Sequence, residues 1–98
     1  MSWFLYRLLP PRPDFAATMS DDEQATMGRH SQYWTEHLRD GRAMIFTPVA
    51  DPAGVWGMAI VQGQTADDVA ALGLADPAVT SGIARFDVVD LPGAVTAA

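Results

Sequence analysis

The sequence predicts one small α+β domain that spans residues 1–98, with a frayed tail from about residue 93. A chain of this length forms a single domain rather than two. Two segments begin with the capping signals of helices, and four short apolar segments are bounded by proline, glycine or aspartate. These segments follow one another in the order β-α-β-β-α-β.

The first strand is predicted over residues 3–9, where aromatic and aliphatic side chains follow one another. Prolines at positions 10, 11 and 13 come directly after it. Proline has no amide hydrogen for a sheet, so the strand ends there and a stiff, extended connector is expected.

The first helix is predicted from about Asp21 to Arg39. Ser20 and Glu23 have the spacing of a capping box, in which each side chain bonds the backbone amide of the other residue. Gly41 lies just beyond the end, where glycine commonly terminates a helix. The apolar stripe of this helix consists of Met27, Trp34 and Leu38, and Trp34 is expected in the core.

A β-hairpin is predicted next. Its strands are Arg42–Pro48 and Val55–Gln62, and the turn signal Asp51-Pro52-Ala53-Gly54 lies between them. A second helix is predicted over Ala66–Leu74, and the last strand over residues 83–90.

Two helices on one face of a four-stranded antiparallel sheet satisfy this order, which is that of a ferredoxin-like fold. The other sheet face would then be bare. Hydrophobic residues nevertheless occur on both faces of the first strand, which alternates Trp3, Leu5 and Leu9 with Phe4, Tyr6 and Leu8. A bare apolar face of this size favours a partner, so a homodimer joined sheet to sheet is predicted.

The composition disfavours several classes of function. The net charge is −6, lysine is absent and no basic stripe occurs, which disfavours binding to nucleic acid or to an anionic membrane. Without cysteine there is no disulfide and no thiolate site. No signal peptide or apolar span is recognisable, so a cytoplasmic location is expected by default.

His30 is the residue that points most clearly to chemistry. It shares a helix face with Met27 and Trp34, so its polar ring needs a hydrogen-bond partner or a cavity. One interpretation is a structural histidine bonded within the core. The other is a general acid or base, because imidazole titrates near neutral pH. Asp51 and Asp76 are both candidates to orient it.

Other side chains are candidates for binding a ligand. Arg7 and Arg12 could hold a carboxylate, and Tyr33 and Trp56 could supply aromatic surface. His37 lies two helical turns from His30, about 10 Å along the axis, which is too far for both to bind one metal ion easily. No metal site and no cofactor are predicted, and His37 is expected at the surface.

The motifs together resemble the YCII-related (YciI-like) family over about residues 3–95. They are Pro10-Pro11-Arg12-Pro13-x-Phe15, Met27-x-x-His30-x-x-Tyr33-Trp34, Phe46-Thr47-Pro48-Val49-x-Asp51-Pro52-x-Gly54-x-Trp56-Gly57 and Ala75-Asp76-Pro77-Ala78. Thr47 departs from the pattern, because relatives commonly have glycine before the proline.

The resemblance implies a ferredoxin-like domain related to the dimeric α/β-barrel proteins, with a His–Asp site that faces a small pocket. Carried over by motif, the histidine is His30 and the aspartate is Asp51 or Asp76. The leading hypothesis is therefore a dimeric enzyme of lyase or isomerase type, without a cofactor, that acts on a small organic or aromatic molecule. The alternative is a non-catalytic ligand-binding or interaction module in which His30 is structural.

Overall fold

The computed structural model describes residues 1–97, and Ala98, at the end of the predicted frayed tail, lies outside them. It has an α+β architecture with one four-stranded antiparallel sheet, as the sequence predicts. The strands are β1 (Ser2–Leu9), β2 (Ala43–Val49), β3 (Trp56–Gly63) and β4 (Arg85–Asp90). The helices are α1 (Phe15–Thr18), α2 (Asp21–Arg39), α3 (Ala66–Leu74) and α4 (Pro77–Thr80). None of the helices in residues 1–97 is long and apolar enough to cross a membrane.

The sheet has the strand order β2-β3-β1-β4, and every neighbouring pair is antiparallel. In β1, the side chains of Phe4, Tyr6 and Leu8 are buried, whereas the residues between them are partly exposed. Tyr6 lies opposite Ala59 of β3 and Val88 of β4. The period-two alternation of a strand therefore directs one sheet face to the core beneath α2 and α3.

The two long helices begin where their capping signals lie. The Ser20 hydroxyl accepts from the Glu23 amide at 3.1 Å, and the Glu23 carboxylate accepts from the Ser20 amide at 2.8 Å. Thr65 and Asp68 form the same reciprocal pair at α3. These bonds satisfy amides that have no partner inside the helix, which explains why the predicted bounds of both helices match the observed ones.

Two short helices were not predicted. The chain bends over residues 11–14 instead of continuing as an extended connector, and it forms α1 with Phe15 buried. After α3, Asp76 caps α4, whose first residue is Pro77. Proline suits the first helical position because its missing amide would be unpaired there in any case. β4 begins at Arg85 rather than at residue 83, because Gly82, with φ 82°, turns the chain just before it.

The contact between α3 and β4 makes a specific prediction about Gly73. A Cβ atom at this position would lie 2.5 Å from the Phe86 ring. We expect Gly73→Ala to lower the free energy of unfolding by about 1–3 kcal/mol, because the core would be overpacked. Urea denaturation measures the change.

Gly28→Ala is the matched control, because Gly28 lies in the middle of α2 and nothing lies within 4 Å of its Cβ position. There the change should raise the free energy of unfolding by about 0.5–1 kcal/mol through helix propensity. Equal effects of the two substitutions would contradict the packing described for α3.

Candidate functional site

A buried carboxylate, that of Asp76, is the centre of the polar network in the core, and its side chain is fully buried. Oδ1 accepts from His30 Nδ1 at 2.8 Å and from the Ala78 amide at 2.9 Å. Oδ2 accepts from the Tyr6 hydroxyl at 2.9 Å and from the Trp34 indole at 2.8 Å. The four donors come from β1, α2 and α4, so the carboxylate joins three elements.

The charge of this carboxylate is stabilised by its donors. Burial alone would raise the pKa of Asp76, but the hydrogen bonds from His30, Trp34 and the Ala78 amide together hold it below the usual carboxyl range. Burial, with the adjacent Asp76 charge, raises the pKa of the Tyr6 hydroxyl strongly. At neutral pH the site therefore contains one anion and a neutral tyrosine.

His30 has a defined tautomer as a result. An ionised carboxylate can only accept hydrogen bonds, so the Nδ1 atom of His30 must carry the proton that it shares with Asp76. The other ring nitrogen, Nε2, has no hydrogen-bond partner within residues 1–97. In the neutral ring Nε2 has a free lone pair, and it is the nitrogen that a ligand can reach.

A cavity of about 290 Å³ lies beside the imidazole. Its walls are mainly apolar, and they come from the inner sheet face, from α2 and from the segment between β1 and α2. The apolar residues of the wall include Leu8, Phe15, Met27, Phe46 and Ala59. The His30 ring is part of this wall, so the cavity and the His30–Asp76 pair form one site.

Arg12 holds the segment that closes one side of the cavity. Its guanidinium donates two hydrogen bonds to the Glu23 carboxylate, at 2.8 and 3.0 Å, and others to the hydroxyl and carbonyl oxygens of Thr18. The bonds from Arg12 and from the Ser20 amide lower the pKa of Glu23 to about 2. Arg12, a predicted ligand-binding residue, is thus bonded within the protein next to the cavity wall.

Arg7, the other predicted carboxylate binder, lies on the opposite sheet face from Tyr6. It donates two hydrogen bonds to Asp87 across β1 and β4, and its guanidinium stacks 5.8 Å from the Trp56 ring centre. The structure therefore does not bring Arg7 to the His30 side of the sheet.

Of the remaining predicted site residues, Trp56 lines the cavity, whereas Asp51 and Tyr33 do not. The Trp56 indole N–H donates to Asp51, which also accepts from the Ala53 amide. Asp51 is therefore a turn residue with no bond to His30, and the structure pairs His30 with Asp76. Tyr33 donates its hydroxyl to the Leu72 carbonyl at 2.6 Å and packs beside Trp34.

His37 differs from its predicted surface position. Only 15% of its side chain is exposed, and its ring packs edge-on against Tyr33 at 4.7 Å and beside Trp34 at 5.4 Å. The aromatic side chains of α2 cover it because they lie three and four residues earlier on the same helix face. In residues 1–97 no group of three or more His, Asp or Glu side chains is arranged to hold a metal ion.

Sequence reasoning did not identify Trp34 as part of the polar network, since it appeared only as a core residue. Its indole N–H is the group that bonds Asp76, and a buried indole commonly needs such a partner. That requirement is the signal in the sequence that could have connected Trp34 with a nearby acceptor.

Comparisons with known proteins do not extend this description. No protein-family model matches the chain, and no curated protein matches it at a significant level.

The network predicts that Asp76→Asn is strongly destabilising. The amide would place a donor against the donors of Tyr6, Trp34 or His30, leaving buried polar groups unsatisfied. We expect the free energy of unfolding to fall by about 3–5 kcal/mol, the range for breaking a buried charged pair. Urea denaturation at neutral pH measures it.

Asp51→Asn is the control, because Asp51 bonds one turn amide and one indole at the protein surface. This substitution should lower the free energy of unfolding by about 1 kcal/mol or less.

A group with a lowered folded-state pKa stabilises the protein above its unfolded pKa, and that stabilisation is lost as the pH falls through the folded-state pKa. The difference in free energy of unfolding between wild type and Asp76→Asn should therefore become smaller below about pH 4. A difference that does not change with pH would contradict an ionised Asp76.

Proposed function

We propose that the protein is a small enzyme in which His30 transfers a proton to or from a small organic molecule bound in the cavity, with Asp76 orienting the imidazole. The observation that carries the proposal is that one nitrogen of His30 bonds a buried carboxylate, while the other is free at the wall of an apolar cavity. A structural histidine alone would not require the cavity.

The proton step follows from the tautomer. Nε2 accepts a proton from an acidic C–H or O–H group of the ligand, and the ring becomes an imidazolium. The Asp76 carboxylate stabilises the positive charge through Nδ1–H. Returning the proton to a different atom of the ligand isomerises it, and returning it to a leaving group completes an elimination. The chain supplies the acid, the base and the orienting anion, so no cofactor is needed for either outcome.

We also propose that the domain has a ferredoxin-like fold and is related to the YCII-related proteins. β3 lies between β1 and β2, which is the split β-α-β arrangement of ferredoxin-like domains, and β4 lies on the other side of β1. This order supports a ferredoxin-like assignment, and the motif resemblance supports a relationship to the YCII-related proteins. A His–Asp pair beside a pocket is the site that this resemblance implies.

We also propose a homodimer joined through the outer sheet face. Leu5, Ile60 and Val89 lie side by side across β1, β3 and β4 on that face, and each is partly or largely exposed. The helices cover the inner face, so a second copy would bury apolar surface that this chain leaves open.

Exchange of ligand hydrogen for deuterium from the solvent tests the proton step. We expect the wild-type protein to catalyse incorporation of deuterium from D₂O at acidic C–H positions of members of a panel of small carbonyl compounds, followed by ¹H NMR. His30→Gln should lower the rate by about 10²–10⁴-fold, the typical contribution of a general base. His37→Gln is the control on the same helix, because His37 does not line the cavity. Equal rates for wild type and His30→Gln would overturn the proposal.

The mass of the protein in solution tests the proposed dimer. Sedimentation at micromolar concentration should give twice the 10.5 kDa chain mass. Leu5→Asp should give the monomer, because a carboxylate at the centre of the apolar face would be desolvated on association. Leu74→Asp, at an exposed position of α3, should leave the dimer intact. A monomeric wild type would contradict the interface.

A non-catalytic binding module is the second candidate. The donors of Asp76 tie three elements together, which is a structural role that requires no proton transfer. If compounds bind the cavity and no deuterium is exchanged, this function is favoured.

A further inference from the structure

The polar groups of the cavity wall determine which ligand the site can satisfy. The Tyr6 hydroxyl and the Trp34 indole both donate to Asp76. These two donors are therefore not available to a ligand. If they bonded a ligand instead, the buried carboxylate of Asp76 would lose two of its hydrogen bonds.

Two further donors of the wall are also engaged. The Trp56 indole donates to Asp51 at 3.1 Å, and the Thr47 hydroxyl donates to the Pro48 carbonyl at 3.0 Å. Neither side-chain donor is therefore free to bond a ligand.

Ser31 is the exception. It is a solvent-exposed residue that also lines the cavity, and its hydroxyl has no hydrogen-bond partner among residues 1–97, whereas its backbone carbonyl accepts from Thr35. The wall thus has one unused side-chain donor, the Ser31 O–H, and one unused nitrogen acceptor, His30 Nε2. The two come from consecutive residues of α2, whose side chains point about 100° apart around the helix axis, and both residues line the cavity.

Within residues 1–97 no arginine lines the cavity, and its one basic side chain is that of His30, whose Nε2 is an acceptor in the neutral ring. Arg12 is bonded to Glu23, and Arg7 is paired with Asp87 on the other sheet face. The nearest full charge is the anionic Asp76 behind the imidazole. Beside the neutral His30 ring, a ligand anion would have to lose water without gaining a counter-ion, which is costly in an apolar cavity.

We propose that the site takes a compact, uncharged ligand with one hydrogen-bond donor and one acceptor on an otherwise apolar skeleton. The donor bonds His30 Nε2, and the acceptor receives the Ser31 O–H. At about 290 Å³ the cavity is at the small end of the usual range for ligand sites. The inference rests on the site of the proposed function, and it adds Ser31 as a binding residue.

Three probes of one shape test the inference: benzamide, acetophenone and benzoate. Benzamide has both groups, acetophenone lacks the donor, and benzoate carries a charge. Titrations followed by ¹H–¹⁵N NMR at neutral pH should show benzamide binding at least about tenfold more tightly than benzoate, with acetophenone between them, since a neutral hydrogen bond contributes a few-fold to about tenfold.

Ser31→Ala should weaken benzamide and acetophenone about three- to tenfold and leave ethylbenzene, which has no polar group, unchanged. Gln32→Ala is the matched control, because Gln32 is an exposed α2 residue that does not line the cavity. Equal or tighter binding of benzoate, no effect of Ser31→Ala, or no shift of the cavity resonances with any probe would each overturn the inference.

The outcomes separate this inference from the proposed function. If benzoate binds best while deuterium exchange still depends on His30, only the uncharged ligand class is wrong. If benzamide is preferred and His30→Gln leaves exchange unchanged, proton transfer is wrong, and the cavity remains a binding site for uncharged molecules.

Discussion

The buried carboxylate of Asp76 is the constraint on which the core depends. An isolated charge in a protein interior costs several kcal/mol, and only well-placed donors offset this. Those donors are Tyr6 from the sheet, His30 and Trp34 from α2, and an amide of α4. The contacts that hold these elements together also orient the imidazole. The fold and the candidate site therefore cannot vary independently, and substitutions at Asp76 affect both.

The sheet separates two environments because side chains alternate along each strand. Tyr6 points inward to the carboxylate and the cavity. Its neighbour Arg7 points outward, where it pairs with Asp87 of β4. A charge placed on the inner face would compete for the donors of Asp76. The ion pair instead remains on the partly exposed face, where it does not disturb the site.

The segment between β1 and α2 determines the shape of the cavity. Arg12 bonds Glu23 at the start of α2, and Pro13 packs against Gly54, whose φ of 138° and lack of a side chain permit the close approach. A Cβ atom at Gly54 would lie 3.3 Å from the Pro13 backbone. The turn that follows β2 thus supports the same segment that carries Phe15 into the wall.

Local signals in the sequence determined the two long helices, α2 and α3, and singled out His30. The capping pair Ser20–Glu23 spans three residues, and the apolar stripe of α2 repeats every three or four residues. Both patterns can therefore be recognised from the sequence alone. The sequence did not show in this way whether Asp51 or Asp76 bonds His30. His30 and Asp76 are 46 residues apart, and Tyr6 and Asp76 are 70 apart. Only packing of α2 and α4 against the sheet brings these groups within hydrogen-bond distance. Only the folded chain shows that the Arg12 guanidinium is already bonded and that the Ser31 hydroxyl has no partner within residues 1–97.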